Sequence, residues 1–151
     1  MITIEEFKKK QTSKTRLIGL DLGSKRIGIS ICDEKQSIAT PFKTINRINT
    51  SELVIELKEI IRENNIKGIV IGNPINMDGT SGSSAQSVKD ISTNISQFID
   101  LPVFLWDERL STVGAFNLSS QLDVNISKKI KKIDENAAAF ILQGAIDYLN
   151  N

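Results

Sequence analysis

The chain has 151 residues, 40% of them hydrophobic and 25% charged, with 19 Lys and Arg against 18 Asp and Glu. That length suits one domain with a real core, and a net charge of +1 provides no global basic field for a polyanionic partner. No histidine and a single cysteine, Cys32, exclude Ser-His-Asp and Cys-His catalysis, the usual zinc sites and an internal disulfide, which leaves hydrolytic chemistry to carboxylates and hard, oxygen-loving metals.

Residues 1–15 read as a polar N-terminal extension with room for a short helix. Its "MITIEEFKKK" lacks the apolar stretch of a signal peptide, and Glu5 and Glu6 are unlike a transit peptide. No apolar run approaches the roughly 20 residues of a membrane span, so a cytoplasmic protein without membrane contacts is expected. Three strands follow, over 16–22, 26–33 and 37–45. Their connections are too short for helical crossovers, which predicts an antiparallel meander with Cys32 as a small core residue. Leu53, Leu57, Ile60 and Ile61 then recur at helical spacing, and Asn49 with Glu52 makes a capping box.

The run 66–72, "IKGIVIG", has the nearly continuous apolar character of a buried parallel strand. A Gly- and Ser-rich loop leads to a helix with Val88, Ile91, Ile95 and Phe98 on one face. Another buried strand begins after Pro102 as "VFLWDE". Ser111 or Thr112 caps a helix reaching about Leu122, and a basic loop, "SKKIKKI", joins the last helix. That helix is expected to begin at Asp134, an N-cap type, and to carry a stripe of Ala137, Ala138, Ile141, Leu142, Ala145 and Leu149. The order β-β-β-α-β-α-β-α-α predicts an α/β fold: one mixed five-stranded sheet, a meander continued by βαβ units, with helices on both faces.

In open α/β sheets, ligands bind beyond the carboxyl ends of parallel strands. Asp21 lies near such an end in the first strand, Asp107 and Glu108 end the last, and Asp134 is expected at a helix start, where the dipole favours a carboxylate. Convergence of these acids at one rim would supply material for one or two Mg2+ ions. Each also has an ordinary reading: Asp134 as a cap, Asp107 and Glu108 as a strand-end turn with Arg109 as ion-pair partner. An acid within an apolar strand is costly unless paired or metal-bound, so Asp21 is the hardest to dismiss. The stretch 72–88, with Asn73, Pro74, Asp78 and Gly79, can present backbone N–H groups to a phosphate. It can equally be a turn at Asp78 and Gly79 followed by a serine cap. It is not a Walker A loop. Three basic groups (Lys25 with Arg26; Arg109; Lys128, Lys129, Lys131 and Lys132) each lie close in sequence to a candidate acid, as binding of a phosphodiester backbone would require. Trp106 is the lone tryptophan, so there is no aromatic ladder for reading bases.

"DLGSKRIGIS", "GNPINMDGTSG", "WDERLST" and "IDENAAAFILQ", in this order and spacing, resemble the YqgF family, also named RuvX. These are small bacterial members of the RNase H-like superfamily, described as Holliday junction resolvases and as nucleases that mature the end of the small-subunit ribosomal RNA precursor. The resemblance covers roughly residues 17–149 and leaves the N-terminal extension outside a single RNase H-like nuclease domain, 16–151. It implies catalytic, metal-binding acids at Asp21, Glu108 and Asp134, with Mg2+ or Mn2+ as one or two ions. Asp107, Arg109 and Asp78 fall on further motif positions, and Ser24 stands where the family often has Thr.

The reading is a metal-dependent nuclease that processes the 5′ end of pre-16S ribosomal RNA, with structured RNA as substrate and pre-ribosomal particles as its setting. Gly23 would let the chain turn beside the substrate, while Lys25 and Arg26 hold phosphates. The alternatives are a Holliday junction resolvase acting on branched DNA and a non-catalytic RNA-binding ribosome-assembly factor. A nucleotide-binding module is a further one, since "GLDLGS" is also similar to the first phosphate loop of the actin and sugar-kinase group. That group needs a second, duplicated domain, for which 151 residues leave no room.

Overall fold

A computed structural model describes residues 1–74, 82–107 and 126–151, with residue 83 and residues 126–135 described by backbone alone. Along the chain run α1 (Ile4–Lys10), β1 (Arg16–Leu22), β2 (Arg26–Cys32), β3 (Ala39–Asn46), α2 (Thr50–Asn64), β4 (Ile66–Asn73), α3 (Ser83–Phe98), β5 (Val103–Asp107) and α4 (Ile126–Leu149). The strands form one five-stranded sheet in the order β3-β2-β1-β4-β5. The first three pair antiparallel, whereas β4 and β5 join β1 in parallel through helical crossovers. This is the mixed sheet that the sequence predicts.

Period-two alternation sorts the strand residues between two cores. Ile18, Leu20, Ile27, Ile29, Ile69 and Ile71 pack under α2 and α3. Leu17, Cys32, Val70 and Phe104 pack under α1 and α4. Burial of Cys32 pushes its thiol pKa up, and its sulfur accepts a hydrogen bond from the Leu17 amide at 3.2 Å. It is the core residue expected. The Asn49 side chain caps α2 by accepting from the Glu52 amide, and α2 ends at Asn65 in the left-handed region (φ 54°). The third strand begins two residues later than expected because Asp33 Oδ1 accepts the amides of Ser37 (2.7 Å) and Ile38 (2.9 Å), committing them to the turn. The Ile38 amide, with that of Ser37, holds the Asp33 carboxyl below the usual carboxylate range.

Three expectations are corrected. The N-terminal segment is more than a polar lead-in: α1 buries Ile4 and Phe7, the Phe7 ring packs on Phe104 at 4.9 Å, and the Ile2 amide bonds the Val103 carbonyl at β5. Two apolar residues one helical turn apart suffice to dock a short helix whose other positions are charged. In α3 the buried stripe is Ala85, Val88, Ser92, Ile95 and Ile99, and Phe98 is 60% exposed. The alternating steps of three and four residues bring Ile99, not Phe98, onto the inner face at the last turn.

The basic run "SKKIKKI" is helix, not loop, since α4 begins at Ile126. Isoleucines at 126, 130 and 133 continue the helical period of the stripe that follows, and lysine is a good helix former. Asp134 therefore lies more than two turns inside the helix, beyond the reach of the terminal dipole. From Ala138 to Leu149 the expected stripe is buried, with Ala139 and Ile146 added and Ala137 only half-buried. The expected helix over about 111–122 lies outside the described residues. Among the described residues, no helix is long and apolar enough to cross a membrane.

Candidate active site

Because β1, β4 and β5 are parallel, their carboxyl ends share one edge of the sheet. Asp21 is the penultimate residue of β1. It has the parity of Leu17 and Gly19, so it belongs to the face covered by α4. Across the sheet it pairs with Gly28, and Gly28 pairs with Thr44. With no side chain at the middle position, a trough opens between Asp21 and Thr44. It forms part of a cleft of about 230 Å3 lined by Asp21, Gly23, Ser24, Lys25, Arg26, Gly28 and Thr44. Asp21 is half-buried, whereas Lys25 and Arg26 are exposed. The expected acid and two expected cations thus share one small basin.

The turn between β1 and β2 is tight. The Gly23 amide donates to the Asp21 carbonyl at 3.1 Å, and a β-carbon on Gly23 would stand 2.5 Å from the Arg26 carbonyl oxygen. Only glycine fits there without moving backbone. Arg47, just past β3, holds both arms of the turn. Its amide donates to the Lys25 carbonyl at 2.9 Å, and its Nη1 donates to the Gly23 carbonyl at 2.7 Å.

Helix α4 is drawn down onto this face two residues before Asp21. Ser30, fully buried opposite Gly19, donates its hydroxyl to the Ala138 carbonyl at 2.7 Å. A β-carbon on Gly19 would meet Ser30 Oγ at 2.5 Å and Leu142 Cβ at 2.7 Å. At the far end of the helix, Asn150 donates to the Gln36 carbonyl, and the Gln36 side chain donates to the carbonyl of Thr15, just before β1. The helix therefore runs antiparallel to β1. Asp134 precedes Ala138 by four residues, about 6 Å of helix. Asp21 follows Gly19 by two residues, about 7 Å of strand. Their backbones stand at matching levels, and residues 128–132 come earlier still, toward the turn that carries Lys25 and Arg26.

Not every candidate joins this basin. Asp107 pairs with Asn73 at the ends of β5 and β4, and it has the parity of Val103 and Leu105, opposite to that of Asp21. Both line a separate cleft of about 500 Å3 with Leu105, Trp106, Tyr148 and the N-terminal residues. Pro74 follows β4, half-buried. Glu108, Arg109, Asp78 and Gly79 lie outside the described residues, as do the side chains of Lys128, Lys129, Lys131, Lys132 and Asp134. Among the described residues, no three acids, cysteines or histidines cluster as metal ligands. Sequence reasoning missed Gly28, Thr44 and Arg47. Gly28 had a signal: Gly28, Ser30 and Cys32 alternate with three isoleucines, the pattern of a strand face that a helix approaches closely. Arg47 had none, since its contact spans 24 residues.

A family model described as RuvX, Holliday junction resolvase, matches residues 15–148. A protein of Pelagibacter ubique named "Putative pre-16S rRNA nuclease" is 76% identical over 151 residues, the whole of both chains. One of the same name from Cereibacter sphaeroides is 43% identical over 148 residues, 98% of this chain and 92% of that one. Among solved structures, Thermus thermophilus RuvC in complex with a Holliday junction substrate superposes with a TM-score of 0.54 at 9% identity, covering 89% of this chain and 94% of that one. The yeast mitochondrial Holliday junction resolvase gives 0.50 at 10% identity, covering 97% and 84%. At such identities the likeness is one of fold.

Proposed function

The chain belongs to the RuvX family, and from that premise we propose that it is a nuclease hydrolysing phosphodiester bonds, with the pre-16S ribosomal RNA precursor as substrate. The observation that carries this reading is the basin in which Asp21, Lys25 and Arg26 line one cleft at the carboxyl edge of the sheet. An acid beside a side-chain-free trough, flanked by two exposed cations, suits a scissile phosphate and its neighbours. Glu108 directly follows β5 in the sequence, and the backbone level of Asp134 on α4 matches that of Asp21. Both support a catalytic trio of Asp21, Glu108 and Asp134.

This donor set is all oxygen, which fits a hard divalent ion, Mg2+ or Mn2+, held by those three carboxylates. When bound, such ions lower the pKa of a water and stabilise the leaving oxygen of an in-line displacement. The remaining work belongs to the chain. Lys25 and Arg26 hold backbone phosphates as charged donors, Gly23 keeps the turn low beside the substrate, and Lys128, Lys129, Lys131, Lys132 and Arg109 extend the cationic path. Asn73 ends β4 and Pro74 follows it at the same edge, and we assign Asp78 and Gly79, further along the sequence, to phosphate binding with them.

The family's description favours a second substrate, branched DNA. One assay separates the two: purified protein is offered structured precursor RNA, single-stranded RNA and a four-way DNA junction, with and without Mg2+ or Mn2+. Metal-dependent cleavage of the RNA is expected, and it should vanish in Asp21→Asn, Glu108→Gln and Asp134→Asn while each variant melts like the parent in EDTA. Cleavage of the junction alone would transfer the reading to DNA. Binding of RNA without any cleavage would make the protein an assembly factor. Loss of folding in Asp21→Asn would make Asp21 a structural residue.

A further inference from the structure

We propose that Arg47 is a positioning residue that fixes the Asp21 turn; its catalytic consequence rests on the nuclease reading above. The last regular pair of the β2–β3 ladder is Arg26 with Asn46. The Arg47 amide carries that ladder one step further, onto Lys25, at 2.9 Å. The Arg47 side chain then crosses the mouth of the turn and donates to the Gly23 carbonyl at 2.7 Å. One residue thereby ties the incoming arm, which follows Asp21, to the outgoing arm, which carries Lys25 and Arg26.

Three residues, 23–25, connect the two strands, and the Gly23 amide already bonds back to the Asp21 carbonyl. With glycine as its first residue such a turn has broad backbone freedom. A charge-assisted bond to the Gly23 carbonyl removes that freedom where it would displace Asp21 most directly. Reactive groups must be held within about 0.5 Å of their productive positions. Arg47 acts from outside the basin: it does not line the Asp21 cleft, but borders a different one of about 680 Å3 with Asn49, Thr50, Gln86 and Asp90. Its guanidinium accordingly serves the turn and not the scissile phosphate.

The test uses full-length protein with Arg47→Met, which keeps much of the stem and removes the donors, and Arg47→Lys, which restores one donor. In Arg47→Met we expect kcat to fall by up to about a hundredfold, as for a misplaced reacting group. The thermal midpoint should stay near that of the parent, and Arg47→Lys should recover part of the loss. Amide hydrogen exchange at residues 23 and 47 should quicken in Arg47→Met while residues 17–20 keep their protection. The salt dependence of RNA affinity, measured in Ca2+, should keep its slope. A slope shallower by about 0.7–0.9 would mark Arg47 as a phosphate contact instead and overturn the proposal. Unchanged exchange at the turn would overturn it as well, as would parental kcat. If the parent cleaves nothing in any metal, the nuclease reading fails by itself, and the exchange measurement still decides whether Arg47 holds the turn.

Discussion

A β-carbon on Gly19 would stand 2.5 Å from Ser30 Oγ, 2.7 Å from Leu142 Cβ and 3.0 Å from the Ala138 carbonyl oxygen. Two of those three atoms belong to α4, so the absence of a side chain at Gly19 sets how closely the helix approaches the sheet. Asp21 is two residues further along the same strand face, and any lift of α4 there changes the space above it. Gly19→Ala should destabilise the fold by about 1–3 kcal/mol, the usual cost of overpacking. Cleavage per folded molecule should fall as well, because the helix that carries Asp134 is displaced. Thermal melts alongside initial rates check both; a parental melt with parental rate would show that the helix accommodates the methyl group. At this scale the sequence was legible where residue type alone is informative. An acid inside an apolar strand made Asp21 a candidate, and Gly23 was read as the tight turn it forms. Gly19 looked like an ordinary small residue in a strand, since the helix atoms it makes room for lie more than a hundred residues away.

Among the elements, α3 has an anomaly in its buried stripe. Ser92 is fully buried between Val88 and Ile95, and among the described residues its hydroxyl has no hydrogen-bond partner. An unsatisfied buried hydroxyl costs about 1–3 kcal/mol, and alanine is the better helix former. Ser92→Ala should therefore stabilise the protein by about 1 kcal/mol, raising its thermal midpoint by about 2–4 °C for a chain of this size. A lowered midpoint in calorimetry would reveal a partner for the hydroxyl. In α4 the lysines at 128, 129, 131 and 132 occupy helical positions and not a pliable loop. Replacing all four with alanine should weaken RNA binding and flatten its salt slope by about 0.7–0.9 for each lysine that touches a phosphate. Far-UV circular dichroism should show helix content unchanged or raised. An unchanged slope would place the substrate path on Lys25, Arg26 and Arg109 alone.

On the scale of the whole molecule, the N-terminal segment belongs to the core although the family match begins only at residue 15. Phe7 is 6% exposed against Phe104, and the Ile2 amide occupies a carbonyl of edge strand β5. Phe7→Ala should cost about 3–5 kcal/mol, the range for a buried phenylalanine. That is a large share of a typical total of about 5–15 kcal/mol. Deleting residues 1–11 should do at least as much and leave the β5 edge open to pairing between molecules. Denaturant titration and light scattering would show the loss of midpoint and the onset of association. Parental stability in the deletion would return the segment to the role of a polar extension.

What the sequence determined by itself was whatever a short window encodes. Short strand-like runs, two of them buried and apolar, marked five strands, and their connections separated an antiparallel meander from parallel crossovers. Asn49 announced the start of α2, and a stripe of apolar residues announced the buried face of α4. The missed start of α4 shows the limit of such windows: Asp134 is a cap-type residue, yet isoleucines at 126, 130 and 133 carry the same helical period further back. Only the tertiary structure decided that Asp21 faces α4 while Asp107 belongs to the opposite parity, because a face is chosen by what covers the sheet. Only it revealed that Arg47 grips Gly23 across 24 residues and that Ser30 binds Ala138 across 108. Those bonds depend on strand register and helix placement, which are set by burying the whole apolar surface at once, and no local stretch of sequence records the partner.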